Sequence, residues 1–228
     1  MCTKLWLAGA AGILAVTSTT ALASVVVVRS LGPSAKAYPP GKTLPETAKI
    51  TLQGGDVVTV LGAGSAKTMR GPGSFDAKQV TLASAAGQRG RFGALRTGEV
   101  AHNPSIWDLD VTQSGKVCVA NPSKLQLWRP ESDSAIKATI RSADGKSQEL
   151  SWAAGKASMS WPSALPISNG GEYQIGLGDN GDNSDVSFVI VSSAPSDMVA
   201  AAQLLIQNGC QNQLDLLVAG ASKAGDSD

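Results

Sequence analysis

The chain has 228 residues, with 19 basic and 18 acidic side chains and a formal charge of +1 at neutral pH. That balance implies no basic surface of the kind a nucleic-acid binder needs to displace counterions, and no charge run marks an acidic tail or a polybasic membrane patch. The length allows one large or two small domains.

Residues 1–23 read as a cleavable secretory signal. Lys4 precedes an apolar run from Leu5 to Val16, and Ala21-Leu22-Ala23 puts small residues at the −3 and −1 positions of a signal-peptidase site. A retained membrane anchor needs about 18–20 apolar residues, and Thr17-Ser18-Thr19-Thr20 interrupts this run first. Cys2 lies before the apolar run, whereas a lipid-modified cysteine would follow it. Cleavage after Ala23 removes Lys4 and leaves 18 basic against 18 acidic residues. No later segment is apolar enough to span a bilayer, and few aromatics among many Ala, Gly and Ser suggest a GC-rich bacterial source. The expected location is therefore periplasmic or secreted.

Residues 24–99 form the first expected unit, a small β-domain. Val25 to Val28 opens it, and a Gly/Pro-rich stretch follows. Ile50-Thr51-Leu52 then leads through the turn signal Gln53-Gly54-Gly55-Asp56 into Val57 to Leu61. Lys67 to Arg70 is a short strand bounded by glycines, and Lys78 to Leu82 is read as another. Gly87 to Gly98, with Arg89, Arg91 and Arg96, reads as a linker.

Residues 100–193 form the second expected unit, a β-sandwich. Ile106 to Val111 alternates apolar and polar residues, as a half-buried strand does. Further runs follow at Lys116–Val119, Leu125–Trp128, Ala135–Ile140, Gln148–Trp152, Ala157–Trp161, Tyr173–Leu177 and Val186–Val191, punctuated by Gly, Asn, Asp or Pro. Trp107, Trp128, Trp152 and Trp161 all fall here and are read as core.

Residues 194–221 change to a helical period. Ser196 is placed as the cap of a helix carrying Met198, Val199, Ala202, Leu205 and Ile206 on one face, Gly209 stops it, and Leu214 to Val218 suggest a second short helix. Residues 222–228 read as a disordered tail. The hairpin is expected to dock on the sandwich as a lid.

Two cysteines, Cys118 and Cys210, remain after signal removal. In an oxidising compartment an even pair bonds, and closing a loop of roughly 90 residues stabilises by about 4–5 kcal/mol on the chain-entropy model. A zinc site would have to borrow His102 and has no paired short spacing.

Three other patterns bear on chemistry. Leu61-Gly62-Ala63-Gly64-Ser65-Ala66-Lys67-Thr68 is similar to a phosphate-binding loop, yet Ala66 replaces the glycine before the lysine. Met69-Arg70-Gly71-Pro72-Gly73 cannot form the helix such a loop requires, so a glycine-rich hairpin is expected instead. His102 is the one histidine available as a catalytic base, and no serine sits in a Gly-x-Ser-x-Gly elbow. Gly178 to Asp185 clusters oxygen donors suited to a hard cation, with Asp179, Asp182 and Asp185 as candidate ligands. A hairpin loop is its simpler reading.

Ile50 to Leu61, continued through Gly71-Pro72-Gly73-Ser74-Phe75, resembles the repeated-strand unit of FecR-like periplasmic proteins. The resemblance implies a small β-domain used in envelope signalling or protein contact, and it supplies no catalytic residues. The chain differs from transmembrane signalling members in lacking an internal apolar helix. Gly170-Gly171-Glu172-Tyr173-Gln174-Ile175 resembles the late-strand signature of immunoglobulin-like sandwiches, where a tyrosine follows a turn. The expected protein is mainly β: a FecR-like domain, an immunoglobulin-like sandwich and a C-terminal helical hairpin. It is read as a non-catalytic envelope protein that binds a protein partner, with no cofactor. The alternatives are a hydrolase with a site near the inter-domain region and a cation- or glycan-binding module at Asp179–Asp185.

Overall fold

A computed structural model describes residues 24–80, 103–178 and 182–225. The signal, the basic Gly-rich segment, His102 and Asp179 lie outside the described residues. The chain is mainly β, built from several sheets.

Its first part contributes β1 (Ser24–Leu31), β2 (Thr43–Pro45), β3 (Lys49–Leu52), β4 (Val57–Leu61), β5 (Ala66–Arg70) and β6 (Gly73–Asp76). An antiparallel sheet runs in the order β2-β1-β4-β5, and β3 pairs with β6. Four consecutive valines favour a strand because branched Cβ atoms pack well on a pleated surface. Successive side chains then point to opposite faces. Val25 and Val27 enter a core with Ile50, Leu52, Val58, Val60 and Met69, whereas Val26 and Val28 enter a different one. A strand buried on both faces needs a cover on each.

Turn chemistry fixes how these strands connect. Asp56 is buried and accepts from the Ser34 N–H at 2.8 Å and the Gln53 N–H at 2.5 Å. Gly32 (φ 101°) passes so close that a Cβ there would sit 2.5 Å from the Asp56 carboxylate, so only glycine fits. Gly62 to Ser65 closes a hairpin, with Leu61 opposite Ala66 and the Gly62 N–H donating to the Ser65 carbonyl. The phosphate-loop-like stretch thus runs from strand to strand. The described residues of the strand expected at Lys78–Leu82 are not a strand: Ala77 turns the chain and Lys78–Val80 is helical. Ala77 and Val80 bury their side chains in the core, and the Ser65 hydroxyl donates to the Val80 carbonyl at 2.5 Å.

The second part contributes β7 (Leu109–Asp110), β8 (Gly115–Val119), β9 (Gln126–Trp128), β10 (Ile136–Ser142), β11 (Ser147–Trp152), β12 (Ser158–Ser160), β13 (Glu172–Leu177) and β14 (Asp182–Ile190). One sheet has the order β11-β10-β13-β14-β8, the other β12-β9-β7. They share one core, in which Leu127 from the smaller sheet meets Ile140, Ile175 and Phe188 from the larger. Trp161, Tyr173 and Phe188 sit with centroids 5.1 Å apart, Trp161 edge-on to both others. The Tyr173 hydroxyl donates to the Pro166 carbonyl at 2.6 Å. Buried Arg129 donates to the carbonyls of Lys156 (3.0 Å) and Ala153 (2.9 Å), and its guanidinium lies 5.2 Å from the Trp152 ring.

Two expectations here need correction. Ile106–Val111 is a strand only at Leu109–Asp110. Asn103 accepts from the Ser105 N–H and donates to the Asp108 carbonyl, and the Ser105 hydroxyl accepts from the Trp107 N–H. These local bonds offer the backbone an alternative to a ladder. The hairpin read at Gly178–Asp185 does join β13 to β14, but its second strand starts inside that range: β14 begins at Asp182 and Asp185 stands opposite Gln174.

The C-terminal part forms α1 (Met198–Asn208) and α2 (Gln211–Gly225). Asp197, not Ser196, caps α1, accepting from the Ala200 N–H at 2.8 Å. Gly209 (φ 73°) ends it in the left-handed conformation. Helix α2 continues to Gly225, through residues 222–225 that were expected in the tail. The hairpin is more than a lid on the second β unit. Val199, Leu205, Leu214 and Val218 share one core with Val26, Val28 and Leu61 of the first sheet and with Cys118 and Val191 of the second unit. Among the described residues no helix is long and apolar enough to cross a membrane.

Candidate functional site

The sequence supplied one pair of site residues that the structure brings together. Cys118, on edge strand β8, is bonded to Cys210, which separates the two helices; their Cα atoms are 5.8 Å apart and both side chains are buried. This bond sets the start of α2 against the edge of the five-stranded sheet.

Two amides on α2 complete that junction. The Gln213 side chain accepts from the Cys118 N–H (2.6 Å) and donates to the carbonyls of Cys118 (3.0 Å) and Ile106 (2.6 Å). Asn212 donates to the Ser114 carbonyl at 2.9 Å. Gln213 is buried, and these bonds satisfy backbone groups that an edge strand would otherwise leave open.

Beside this junction lies a cleft of about 290 Å³ between α2 and the turn–strand segment that carries β7. Asp108, Asp110 and Asp215 line it with the carboxamides of Asn103 and Gln113, over an apolar floor that includes Trp128. Two of the carboxylates are engaged. Asp110 accepts from the N–H and hydroxyl of Thr112 at 2.9 and 2.7 Å. Asp215 pairs with Arg29 of β1 and accepts from Gln211 at 2.7 Å. Asp108 is half-buried, and its carboxylate has no hydrogen-bond partner among the described residues. Desolvation by burial pushes its pKa above the ordinary aspartate value. The described lining presents hydrogen-bond acceptors, carboxamides and one face of apolar side chains, with no serine, cysteine or histidine.

His102 and Asp179 lie outside the described residues. Asp182 begins β14, and Asp185 accepts from Gln174 at 3.1 Å while its N–H donates to the Ser114 hydroxyl. Among the described residues no three His, Cys, Asp or Glu side chains are grouped to hold a metal ion.

Sequence reasoning missed Asp108, Asp215 and Gln213. Asp108 was absorbed into an alternating pattern as the polar face of a strand. Gln213 gives no local signal at all, since its partner is 95 residues away. Scanned against protein-family models, curated proteins and solved structures, the chain matches none.

Proposed function

We propose that the protein is an exported, non-catalytic interaction protein of the cell envelope that takes a protein partner at the cleft between β7 and α2. The observation that carries this reading is Asp108, a half-buried carboxylate that lines the cleft and has no hydrogen-bond partner among the described residues. Burying an unpaired charge costs free energy, and a partner's hydrogen-bond donor or positive charge would offset that cost. The buried disulfide supports an oxidising compartment, and the signal pattern of residues 1–23 supports export.

On this reading the first part is a FecR-like β-domain, supported by short antiparallel strands joined by the Gly-rich turns at Gln53–Asp56 and Gly62–Ser65. The second is an immunoglobulin-like sandwich. Two sheets sharing one core, and a tyrosine near the start of β13 bonded to backbone seven residues upstream, support it.

The test is crosslinking in the intact envelope with the full chain, comparing wild type with Asp108→Ala and Leu216→Arg. A specific adduct lost in both cleft variants while each remains folded is the expected result. An adduct insensitive to both variants rejects the cleft. An N-terminus other than Ser24 on the exported form rejects the processing assignment.

A further inference from the structure

We infer that forming the Cys118–Cys210 bond is the step that seats the first β-sheet, although residues 24–80 contain no cysteine. The argument begins with β1. It is one of the two inner strands of its sheet, and Val26 and Val28 on one face have no cover within residues 24–80. Their cover is the helical hairpin: α1 packs on β1, and α2 packs on both β5 and β8. The hairpin is bonded covalently at Cys210 to β8, 92 residues earlier. Arg29 of β1 pairs with Asp215 of α2, a separate electrostatic tie between the first sheet and the hairpin. The hairpin therefore forms one core with residues of both β units, and the bond that restricts its freedom acts on that shared core. Without the bond, the ordering entropy of a 92-residue separation falls on noncovalent contacts alone.

The chemistry is thiol–disulfide exchange with an exchangeable disulfide donor. One cysteine thiolate attacks a donor sulfur, forms a mixed disulfide and releases a donor thiolate. The second cysteine thiolate then displaces the other donor sulfur. Two electrons pass to the donor, which leaves as a dithiol carrying the two cysteine protons. Before that exchange, in a reducing compartment, the Val26/Val28 face stays loosely covered and the chain remains open. This inference rests on the export reading only for where the oxidation occurs.

The experiment is peptide-resolved hydrogen exchange on the full chain, comparing oxidised protein with protein unfolded, reduced and refolded under dithiothreitol. Exchange in residues 24–61 and 198–218 is expected to rise together, by about 100-fold or more, while residues 136–177, with their own core, keep their protection. Unchanged protection of residues 24–61 overturns the inference. A reduced chain that does not refold is read through Leu205→Ala with the bond intact. Loosening α1 then accelerates exchange in residues 24–61, and no acceleration there overturns the coupling. None of these outcomes bears on export, which the N-terminus and location of the mature chain decide separately.

Discussion

The side-chain amide of Gln213 pairs with the peptide groups of Cys118 as a neighbouring strand would, accepting from its N–H at 2.6 Å and donating to its carbonyl at 3.0 Å. In an antiparallel ladder the N–H and C=O of one residue point the same way and meet one partner residue. Here a helix supplies that partner, so the sheet ends against α2 instead of presenting an open edge to another chain.

Gln213→Leu keeps most of the volume and removes every polar atom. The Cys118 N–H and the carbonyls of Cys118 and Ile106 lose their partner in a buried place. The expected cost is about 2–4 kcal/mol, since each unsatisfied buried group costs roughly 1–3 kcal/mol and neighbours are not additive. A urea titration checks it, with the midpoint falling and the slope unchanged.

Asp56 gives stability an acid limb. Burial alone would raise its pKa, but the hydrogen bonds from Ser34 and Gln53 outweigh that and hold the carboxyl below the ordinary value. With the folded pKa below the unfolded one, its contribution is full above about pH 4 and is lost as the pH falls through the folded pKa. The midpoint difference between wild type and Asp56→Asn should therefore be largest at neutral pH and shrink in acid. A gap independent of pH contradicts the assignment.

Asp108 behaves with the opposite sign. Its folded pKa is raised by desolvation, so its charged form opposes folding at neutral pH and that opposition fades as the pH drops toward the unfolded value. Asp108→Asn should leave the melting temperature at pH 7 equal to or above wild type while weakening partner capture. A variant that loses stability and binding together would make Asp108 a structural residue.

The Tyr173 hydroxyl anchors the chain before β13 to the strand itself. Tyr173→Phe removes one buried-side donor to Pro166 and leaves the ring in contact with Trp161 and Phe188. A loss of about 1 kcal/mol is expected in thermal or denaturant unfolding. Trp161→Ala, which opens a cavity beside both rings, should cost about 3–5 kcal/mol.

Where pattern and environment agree, the sequence is a good guide. Val25–Val28, Val57–Leu61 and the runs from Ala135 to Val191 carry enough branched or alternating apolar residues that their strands are legible, and the two cysteines after residue 23 have one way to pair with each other. Legibility fails where short polar side chains act on nearby backbone. Asn103 and Ser105 turn residues 103–108 away from the strand that Ile106–Val111 suggests. Asp197 takes the cap one residue after Ser196 because its carboxylate reaches the Ala200 N–H. The cleft was illegible for a different reason. Its two walls lie roughly a hundred residues apart in the chain, and nothing local in Asp108 or Gln213 announces the other wall.

The Arg29–Asp215 contact joins residues 186 apart, which places almost the whole chain between the first strand and its cover. Contacts of such separation form late, because loop closure must come before they contribute. A chain emerging from the ribosome has synthesised β1 long before α2 exists. The Val26/Val28 face of that strand must therefore wait uncovered until the helices are made, and keeping it from sticking to other apolar surfaces falls to whatever accompanies the nascent polypeptide.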